Sequence, residues 1–352
     1  MTAIQKYLAE LVESFGDGWN RFWFSPSDPA TLSLLRIATG LIALYVVLTY
    51  TPDLEAFFGP GGIVSKESLA NLEQATRDGQ RQIISHQIRE AMPRQYAFSY
   101  FNYVHSPNML YAVHFGGVAV LLLFTAGLLT RVTSVLALLV VLSYIHRGPL
   151  LTAHVEPVLA FVMAYLCLGP AGAEWSIDRL LRARRTAAKP VQLSPTPLTQ
   201  PLGPNAVPLS SAATVSVRLI QVHLALLYAL MAIGKLSSEV WWDGLAIWWI
   251  LARPEARLAD LTWLHRFPML VYIWTHAIVA YQLAFPVLIW NRMARPLLLA
   301  LGVVVWGSLA PITGLIPFSL MMVVASLAFV PGAVVRGWLP RCCTLQTAPT
   351  AA

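Results

Sequence analysis

Apolar runs of about 20 residues constrain the fold of this chain more than any other feature of its sequence. A helix of that length crosses the hydrocarbon core of a bilayer, which is about 30 Å thick. The composition agrees, because 57% of the 352 residues are hydrophobic, 12% are charged and the mean hydropathy is +0.62. The sequence therefore predicts an all-α integral membrane protein, a polytopic helical bundle.

Eight transmembrane helices fit the pattern best, although seven or nine can also be drawn. The third run is short, and only the corner Gly314–Pro317 separates the last two. The predicted spans are Thr31–Tyr50, Met109–Leu129, Val132–His146, Leu150–Pro170, Ala213–Leu236, Pro268–Trp290, Leu297–Leu315 and Ile316–Val335.

The regions outside the spans divide the chain further. Residues 1–29 form an N-terminal segment in which Tyr7–Phe24 is typical of an amphipathic interfacial helix. Residues 30–338 form the transmembrane domain, and residues 339–352 form a short tail, where acylation of Cys342 and Cys343 is a hypothesis. A surface helix is expected near Lys66–Met92, and the proline-rich stretch 186–211 reads as a flexible linker.

Basic residues in short loops predict the orientation, because such loops stay in the cytoplasm. With eight spans most of these residues fall on one side, and both termini are cytoplasmic. Arg147 and the group Arg253, Arg257 and Arg266 fall on the other side. The net charge of +7 therefore indicates topology and not nucleic-acid binding. The cytoplasmic residues are Arg131, Arg179, Arg182, Arg184, Arg185, Lys189, Arg292, Arg295, Arg336 and Arg341.

Lys235 is the residue that points most directly to a function. It is one of four lysines in the chain, and it lies in the nearly continuous apolar stretch Val215–Leu236. An ammonium group at membrane depth is costly and normally marks a functional site. The alternative is that Lys235 ends its helix and extends to the interface. A stripe of polar and small residues on one helix face favours a protein or cavity environment. The stripe is Arg218, Gln221, Ala225, Tyr228, Ala232 and Lys235.

Polar residues of five different spans are predicted to share one depth near the outer face. Each histidine alone is more often a packing residue than a catalyst, but the shared depth favours function for the group. No metal site is expected, because the histidines lack ligand spacing and Glu156 is two residues from His154. The layer contains His114, His146, His154, Glu156, Lys235 and His276.

Three further groups have structural interpretations. Arg36 and Arg218 are read as structural or lipid-facing anchors, and His223 as a satisfied packing residue. Many tryptophans flank the outer face as an aromatic belt would, and they could also line a cavity for a planar ligand. The tryptophans are Trp241, Trp242, Trp248, Trp249, Trp263 and Trp274.

Several motifs resemble those of a known family. The stretch from Arg218 through Gln221, Tyr228 and Gly234-Lys235-Leu236 to Trp242 and Gly244 is similar to the signature of the vitamin K-dependent γ-carboxylase and HTTM (horizontally transferred transmembrane domain) family. Other motifs resemble bacterial HTTM members and extend the resemblance over nearly the whole chain. They are Phe22-Trp-Phe, Asp28-Pro29, Leu35-Arg36-Ile37, Phe57-Phe58-Gly59-Pro60, Gly169-Pro170 and Trp175-Ser176-Ile177-Asp178.

The resemblance implies an activity and a cofactor. In the carboxylase the matching lysine deprotonates vitamin K hydroquinone, and oxygen addition then generates a strong base and the epoxide. Lys235 would take this role, helped by desolvation, which favours the neutral amine. His154 and His276 resemble histidines of the carboxylase and are expected to be catalytic with it. The residues expected to bind reduced vitamin K or menaquinol are Tyr228, His114, His146, Glu156 and Trp242.

Two departures from the carboxylase leave three hypotheses open. The chain stops 17 residues after Val335, without the carboxylase's large extramembrane region, and His154 lacks an asparagine-rich context. The first hypothesis is a quinol-oxidising enzyme in the bacterial inner membrane. The second is a protein that binds or transports a lipid or quinone without converting it. The third is a structural or partner-binding protein that acts with a separate soluble subunit or protein substrate.

The predicted topology can be tested with reporter fusions expressed in bacteria. Green fluorescent protein fused to either terminus should fluoresce, because it folds in the cytoplasm. Alkaline phosphatase fused after Pro254 should be active, because that loop is predicted to lie outside. Phosphatase activity at either terminus would contradict the eight-span orientation.

Overall fold

The computed structural model describes residues 3–63, 74, 98–148, 151, 154–187, 208–253 and 258–338. These residues are mainly helical, with no strand apart from one isolated bridge between Ser27 and Ser210. The helices are α1 (Ala3–Phe24), α2 (Ala30–Thr49), α3 (Leu54–Phe58), α4 (Pro107–Ala126), α5 (Thr130–Arg147), α6 (Val155–Leu166), α7 (Ile177–Ala187), α8 (Ser211–Leu236), α9 (Glu239–Trp242), α10 (Ala246–Leu251), α11 (Pro268–Leu288), α12 (Ala294–Thr313), α13 (Ile316–Ser326) and α14 (Gly332–Trp338). Short 3₁₀ turns occupy Tyr100–Tyr103, Thr262–Arg266 and Leu327–Phe329.

Six of these helices, α2, α4, α5, α8, α11 and α12, are long and apolar enough to cross a membrane. A seventh candidate is the pair Ile316–Phe329 and Gly332–Trp338, which bends by 120°. The chain is therefore an all-α, multi-pass membrane protein, as the apolar runs predict. Within the described residues, six or seven segments are long and apolar enough to cross a membrane, whereas eight spans were predicted.

The fourth and eighth predicted spans differ most from the structure. Helix α6 has 12 residues where a span of 21 residues was expected, and it ends shortly before Gly169 and Pro170. The last predicted span breaks at Pro331. Proline cannot donate the backbone hydrogen bond that continues a helix, so Pro170 and Pro331 explain why the helices end there. The length of an apolar stretch alone does not show where such an ending lies.

Helix α2 is the central helix of the bundle. It packs against α4, α6, α8, α13 and α14, and most of its residues are buried. At Gly40 the helix approaches α4 so closely that an added Cβ would collide with Thr125. A side chain at this position would force the two helices apart.

The guanidinium of Arg36 lies inside the protein and not against lipid. The residue is 0% exposed, and it donates to the carbonyl oxygens of Phe124 at 3.2 Å and Trp175 at 2.7 Å. The first acceptor belongs to the last turn of α4, where a helix carries partial negative charge. Gly127, with φ of +73°, ends α4 against this guanidinium, and an added Cβ there would overlap it. Arg36 is thus a structural residue, in agreement with one of its two predicted roles.

Charged side chains connect helix α14 with the segment between α1 and α2 and with the segment before α7. Arg336 of α14 donates to both carboxylate oxygens of Asp28, at 2.6 and 2.9 Å. It also pairs with Glu174 at 2.7 Å, and Glu174 forms a second ion pair with Arg179. Burial alone would raise the pKa of Asp28, but the hydrogen bonds from Arg336 and Ala30 and the charge of Arg336 lower it overall.

Helix α1 includes Tyr7–Phe24, the segment predicted to form an amphipathic helix. Arg218 of α8 holds its C-terminal end, because its Nε donates to the Phe22 carbonyl at 3.2 Å and its guanidinium lies 4.3 Å from the Phe22 ring centroid. Arg218 therefore contacts protein. Large apolar side chains of α1 are exposed, as an interfacial helix requires. They are Tyr7, Leu8, Leu11, Val12, Phe15, Trp19 and Phe24.

Other predictions fall outside the described residues. They are the surface helix near Lys66–Met92, most of the linker 186–211, and the tail 339–352 with Cys342 and Cys343.

We expect Asp28→Asn to weaken the network around Arg336. The loss of a charge-assisted pair should lower the free energy of unfolding by about 1–2 kcal/mol, measured by thermal melting in detergent at pH 7. Asp17→Asn, on the exposed surface of α1, is the control and should melt as the wild type does. Equal melting temperatures for wild type and Asp28→Asn would show that the pair does not stabilise the fold.

The same pair predicts a pH dependence. The folded pKa of Asp28 lies below its ordinary value of 3.8, so its contribution is present above that value and disappears as the pH falls through the folded pKa. The stability difference between wild type and Asp28→Asn should therefore shrink as the pH falls below about 4. A difference that grows on acidification would contradict this assignment.

Candidate functional site

Lys235 lies at the end of α8, beside the indole of Trp241. Its side chain is half-buried, and its Nζ lies 5.0 Å from the Trp241 ring centroid. The only hydrogen bond of Nζ within the described residues is to the Met231 carbonyl, one turn back along α8, at 3.5 Å. No carboxylate of the described chain pairs with it, although Glu239 begins the next helix. The amine is thus next to an aromatic face, and it has no anionic partner among the described residues.

The short helix α9 is held between the end of α8 and helix α11. Trp242 Nε1 donates to the carbonyl of Leu236 at 2.6 Å, which fixes α9 to α8. His276 of α11 has Nε2 at 3.2 Å from the Trp242 carbonyl and Nδ1 at 2.8 Å from the Tyr272 carbonyl. A neutral imidazole carries one ring proton and can donate to only one of these two carbonyls at a time.

Gly244 allows this arrangement. Its φ is +74°, a conformation that other residues adopt with strain. An added Cβ would come within 2.6 Å of Tyr272 and 2.9 Å of His276. The turn after α9 therefore depends on glycine to approach α11. Lys235, Trp242 and His276 therefore lie on three segments, α8, α9 and α11, that these contacts connect.

His154 and Tyr228 lie elsewhere. His154 is exposed at the start of α6, and its ring centroid is 5.5 Å from that of Phe318. Tyr228 is fully buried, and its hydroxyl accepts hydrogen bonds from Trp306 at 2.7 Å and from Tyr281 at 3.3 Å. The hydroxyl already has two donors, so Tyr228 is a core residue of the bundle. A ligand would have to displace these contacts to reach it.

His114 and Glu156 belong to a second polar cluster. His114 is 0% exposed, with Nδ1 at 2.6 Å from the Tyr144 hydroxyl and Nε2 at 3.0 Å from Thr51 Oγ1. Tyr50 donates to Glu156 Oε1 at 2.6 Å, and its ring stacks on Tyr144 with centroids 5.5 Å apart. This cluster joins the ends of α2, α4, α5 and α6. None of these four contacts involves Lys235.

His146 has a local role in the structure. Its Nδ1 donates to the Phe98 carbonyl at 2.7 Å, which fastens the segment before α4 to the end of α5. Of the eight residues predicted to form one site, three lie together around α9, two form the second cluster, and His146, His154 and Tyr228 lie apart from both. The hydrogen bonds of Lys235, Trp242 and His276 stay within α8, α9 and α11.

Sequence reasoning missed the partners that define each cluster. Tyr50, Thr51 and Tyr144 are separated from His114 by at least 30 residues, so no local spacing connects them. Trp241 had a usable signal, because it follows Lys235 by six residues at the start of a tryptophan pair, but an aromatic belt explained it equally well.

Comparison with known proteins gave no match: no family model, no curated protein and no solved structure matches this chain. The fold and site define a class only, that of a polytopic α-helical membrane protein with a lysine at one end of a span. Within the described residues no group of three or more His, Cys, Asp or Glu side chains could hold a metal ion.

The second cluster predicts a measurable coupling. Replacing His114 by Phe leaves the Tyr144 hydroxyl and Thr51 without their partner, so the free energy of unfolding should fall by about 2 kcal/mol. In the His114→Phe variant, the further substitution Tyr144→Phe should lower the free energy of unfolding by about 1 kcal/mol less than it does in the wild type. The reason is that the hydrogen bond between the two side chains is already lost. Thermal melting of the four proteins in detergent provides the cycle. Tyr111→Phe, on the exposed part of α4, is the control, and strictly additive losses would show that the His114–Tyr144 bond contributes nothing.

Proposed function

We propose that this chain is a membrane enzyme that oxidises a reduced quinone of the vitamin K or menaquinol type with oxygen, and that Lys235 is its base. The observation that carries the proposal is the environment of the amine. Nζ lies over the Trp241 ring, its only hydrogen bond in the described chain is a long one of 3.5 Å to Met231, and no carboxylate pairs with it. An amine accepts a proton only in its neutral form, and an anionic partner would hold it in the charged form. The lack of such a partner in the described chain is therefore what the proposed base requires.

The proposed reaction balances as quinol plus oxygen giving quinone epoxide plus water. Lys235 Nζ accepts the proton of a quinol hydroxyl, and the electron pair of that O–H bond stays on the oxygen, which activates the ring towards oxygen. Oxygen is the oxidant, and one of its atoms enters the epoxide while the other leaves as water. The indoles of Trp241 and Trp242 offer the ring an apolar, planar surface beside the amine.

His276 has a positioning role in this proposal. Its contact with the Trp242 carbonyl holds α9 beside α11, and this placement leaves the Trp242 side chain 62% exposed next to the end of α8. His154 receives no role, because its ring contacts Phe318 and no hydrogen bond or ring contact of the described chain connects it to Lys235.

The proposed setting is the bacterial inner membrane, with both termini in the cytoplasm and Lys235 near the outer face. A separate soluble protein substrate or subunit is a further partner in this proposal. Membrane lipid and the quinone itself are the partners that the proposal requires.

A second candidate function is quinone or lipid binding without chemistry. The Trp242 indole is exposed next to the end of α8, and two further indoles are exposed later in the chain. Such surfaces can hold a planar ring whatever the protonation state of the amine. Trp242 is 62% exposed, Trp249 is 60% exposed and Trp263 is 51% exposed. In this candidate the charge of the lysine matters more than its ability to accept a proton.

Substitution of Lys235 separates the two candidates. We expect Lys235→Ala and Lys235→Arg to reduce oxygen-dependent epoxide formation at least about 100-fold, because neither side chain accepts a proton at neutral pH. The assay uses protein in lipid nanodiscs, reduced vitamin K or menaquinol as substrate, and chromatography of the epoxide. Lys6→Ala, which removes a lysine of α1, is the control and should retain full activity.

Binding distinguishes the outcomes further. If Lys235→Arg keeps quinone binding and the wild type turns over while the variant does not, Lys235 is the base. If wild type and both variants bind quinone equally and none forms epoxide, the binding function replaces the enzymatic one.

A further inference from the structure

Midway along α8, His223 forms a cluster with two aromatic residues of α6. Its ring is stacked on Phe161, with centroids 4.1 Å apart and planes 9° apart. Its Nδ1 lies 2.9 Å from the Tyr165 hydroxyl. All three side chains are half-buried, so the cluster lies at the surface of the bundle, along the seam between α6 and α8.

One nitrogen of this histidine is unused. Within the described chain, Nε2 of His223 has no hydrogen-bond partner, and it is absent from the fully buried polar atoms. An unpaired polar group costs several kcal/mol in hydrocarbon, so polar atoms at membrane depth normally meet protein, water or a ligand. The sequence interpretation of His223 as a packing residue explains Nδ1 and the ring stacking, but it leaves Nε2 unexplained.

The depth of His223 restricts what can meet this nitrogen. The residue lies 12 positions after Ser211 and 13 before Leu236, at the middle of a helix long enough to span a membrane. Phospholipids carry their hydrogen-bonding oxygens at the interface, and their acyl chains have none. A molecule that brings a polar oxygen to the hydrocarbon centre must itself be lipid-soluble, as a quinone with an apolar tail is.

The His223–Tyr165 pair can satisfy either redox form of such a ring. If the Tyr165 hydroxyl donates to Nδ1, the proton of the imidazole is on Nε2, which can donate to a quinone carbonyl. If Nδ1–H donates to the Tyr165 oxygen, Nε2 has a free lone pair and can accept from a quinol hydroxyl. Phe161 stacks on the imidazole and is half-buried, so part of its ring is accessible to a second ring.

We infer that Phe161, Tyr165 and His223 form a docking site for a lipid-soluble quinone or quinol on the α6–α8 seam. The choice of the quinone class rests on the proposed function, whereas the hydrogen-bonding geometry does not. The site is distinct from Lys235, because 12 residues of helix separate the two by about 18 Å. The ring of one bound molecule therefore occupies one position or the other.

A photoreactive azidoquinone tests the site in the full-length protein in nanodiscs. In the wild type it should label peptides of α6 and α8 around His223, and menaquinone should compete for the labelling. His223→Phe keeps a ring on Phe161 but removes both ring nitrogens, so we expect about ten times more menaquinone to be needed for half-competition. Phe161→Leu, which removes the stacking partner, should weaken competition in the same direction. Leu122→Phe, on the exposed part of α4, is the control and should change nothing.

Three results would overturn the inference. The first is labelling confined to other helices, and the second is competition unchanged within twofold in both His223→Phe and Phe161→Leu when these variants remain folded. The third is cross-linking that joins two copies of the chain through this seam, which would make it a subunit interface.

The outcomes for Lys235 and His223 are separable. Lys235→Ala should abolish epoxide formation and leave labelling at the α6–α8 seam unchanged. If the wild type forms no epoxide while menaquinone displaces the label at His223, the docking site stands and the proposed enzymatic function fails. If epoxide forms but the seam is not labelled, the proposed enzymatic function stands and the docking site fails.

Discussion

The buried guanidinium of Arg36 is the interaction on which the predicted cytoplasmic half of the bundle depends. A charge with 0% exposure is tolerated only where acceptors surround it, and here the last turn of α4 and the carbonyl of Trp175 supply them. The guanidinium thereby fixes α2, α4 and the segment before α7 relative to one another. Asp178, at the start of α7, accepts from the backbone of Leu129 and Thr130 at 2.8 Å, so the same segment also sets where α5 begins.

The opposite end of the bundle is organised by short contacts between helix ends. Helix α9 is attached to α8 through Trp242 and to α11 through His276, and Gly244 gives the chain room to turn between them. Around His114 the ends of α2, α4 and α5 are connected by two hydrogen bonds to one fully buried imidazole. These connections hold two polar clusters in place, and only the one around α9 contains a basic amine without a carboxylate partner in the described chain.

The sequence predicts the membrane class and most span positions because run length and hydropathy are local properties. The helix predicted from Met109 is found at Pro107–Ala126, and the one predicted from Ala213 at Ser211–Leu236. Lateral position cannot be predicted in this way. His114 lies in the first half of α4 and Lys235 in the last turn of α8, towards the ends predicted to face outward. Which helices become neighbours depends on packing between distant segments. For that reason the grouping of Lys235, Trp242 and His276 into one site stays a prediction. Tyr228 lies in the core, and no sequence signal pointed to the His223 nitrogen that has no partner in the described chain.

The proposal that a quinol binds beside Lys235 is tested most directly by a cryo-electron microscopy map of the protein in nanodiscs. The nanodiscs are supplied with menaquinone under anaerobic, reducing conditions. If Lys235 is the base, the map should show planar density against the Trp241 and Trp242 indoles, with a ring oxygen within hydrogen-bond distance of Lys235 Nζ. The proposal would be contradicted by a map in which these side chains are well resolved and the space beside Nζ holds only acyl chain or solvent. Lys235 would then be an interfacial lysine, and the bundle would have no base at this site.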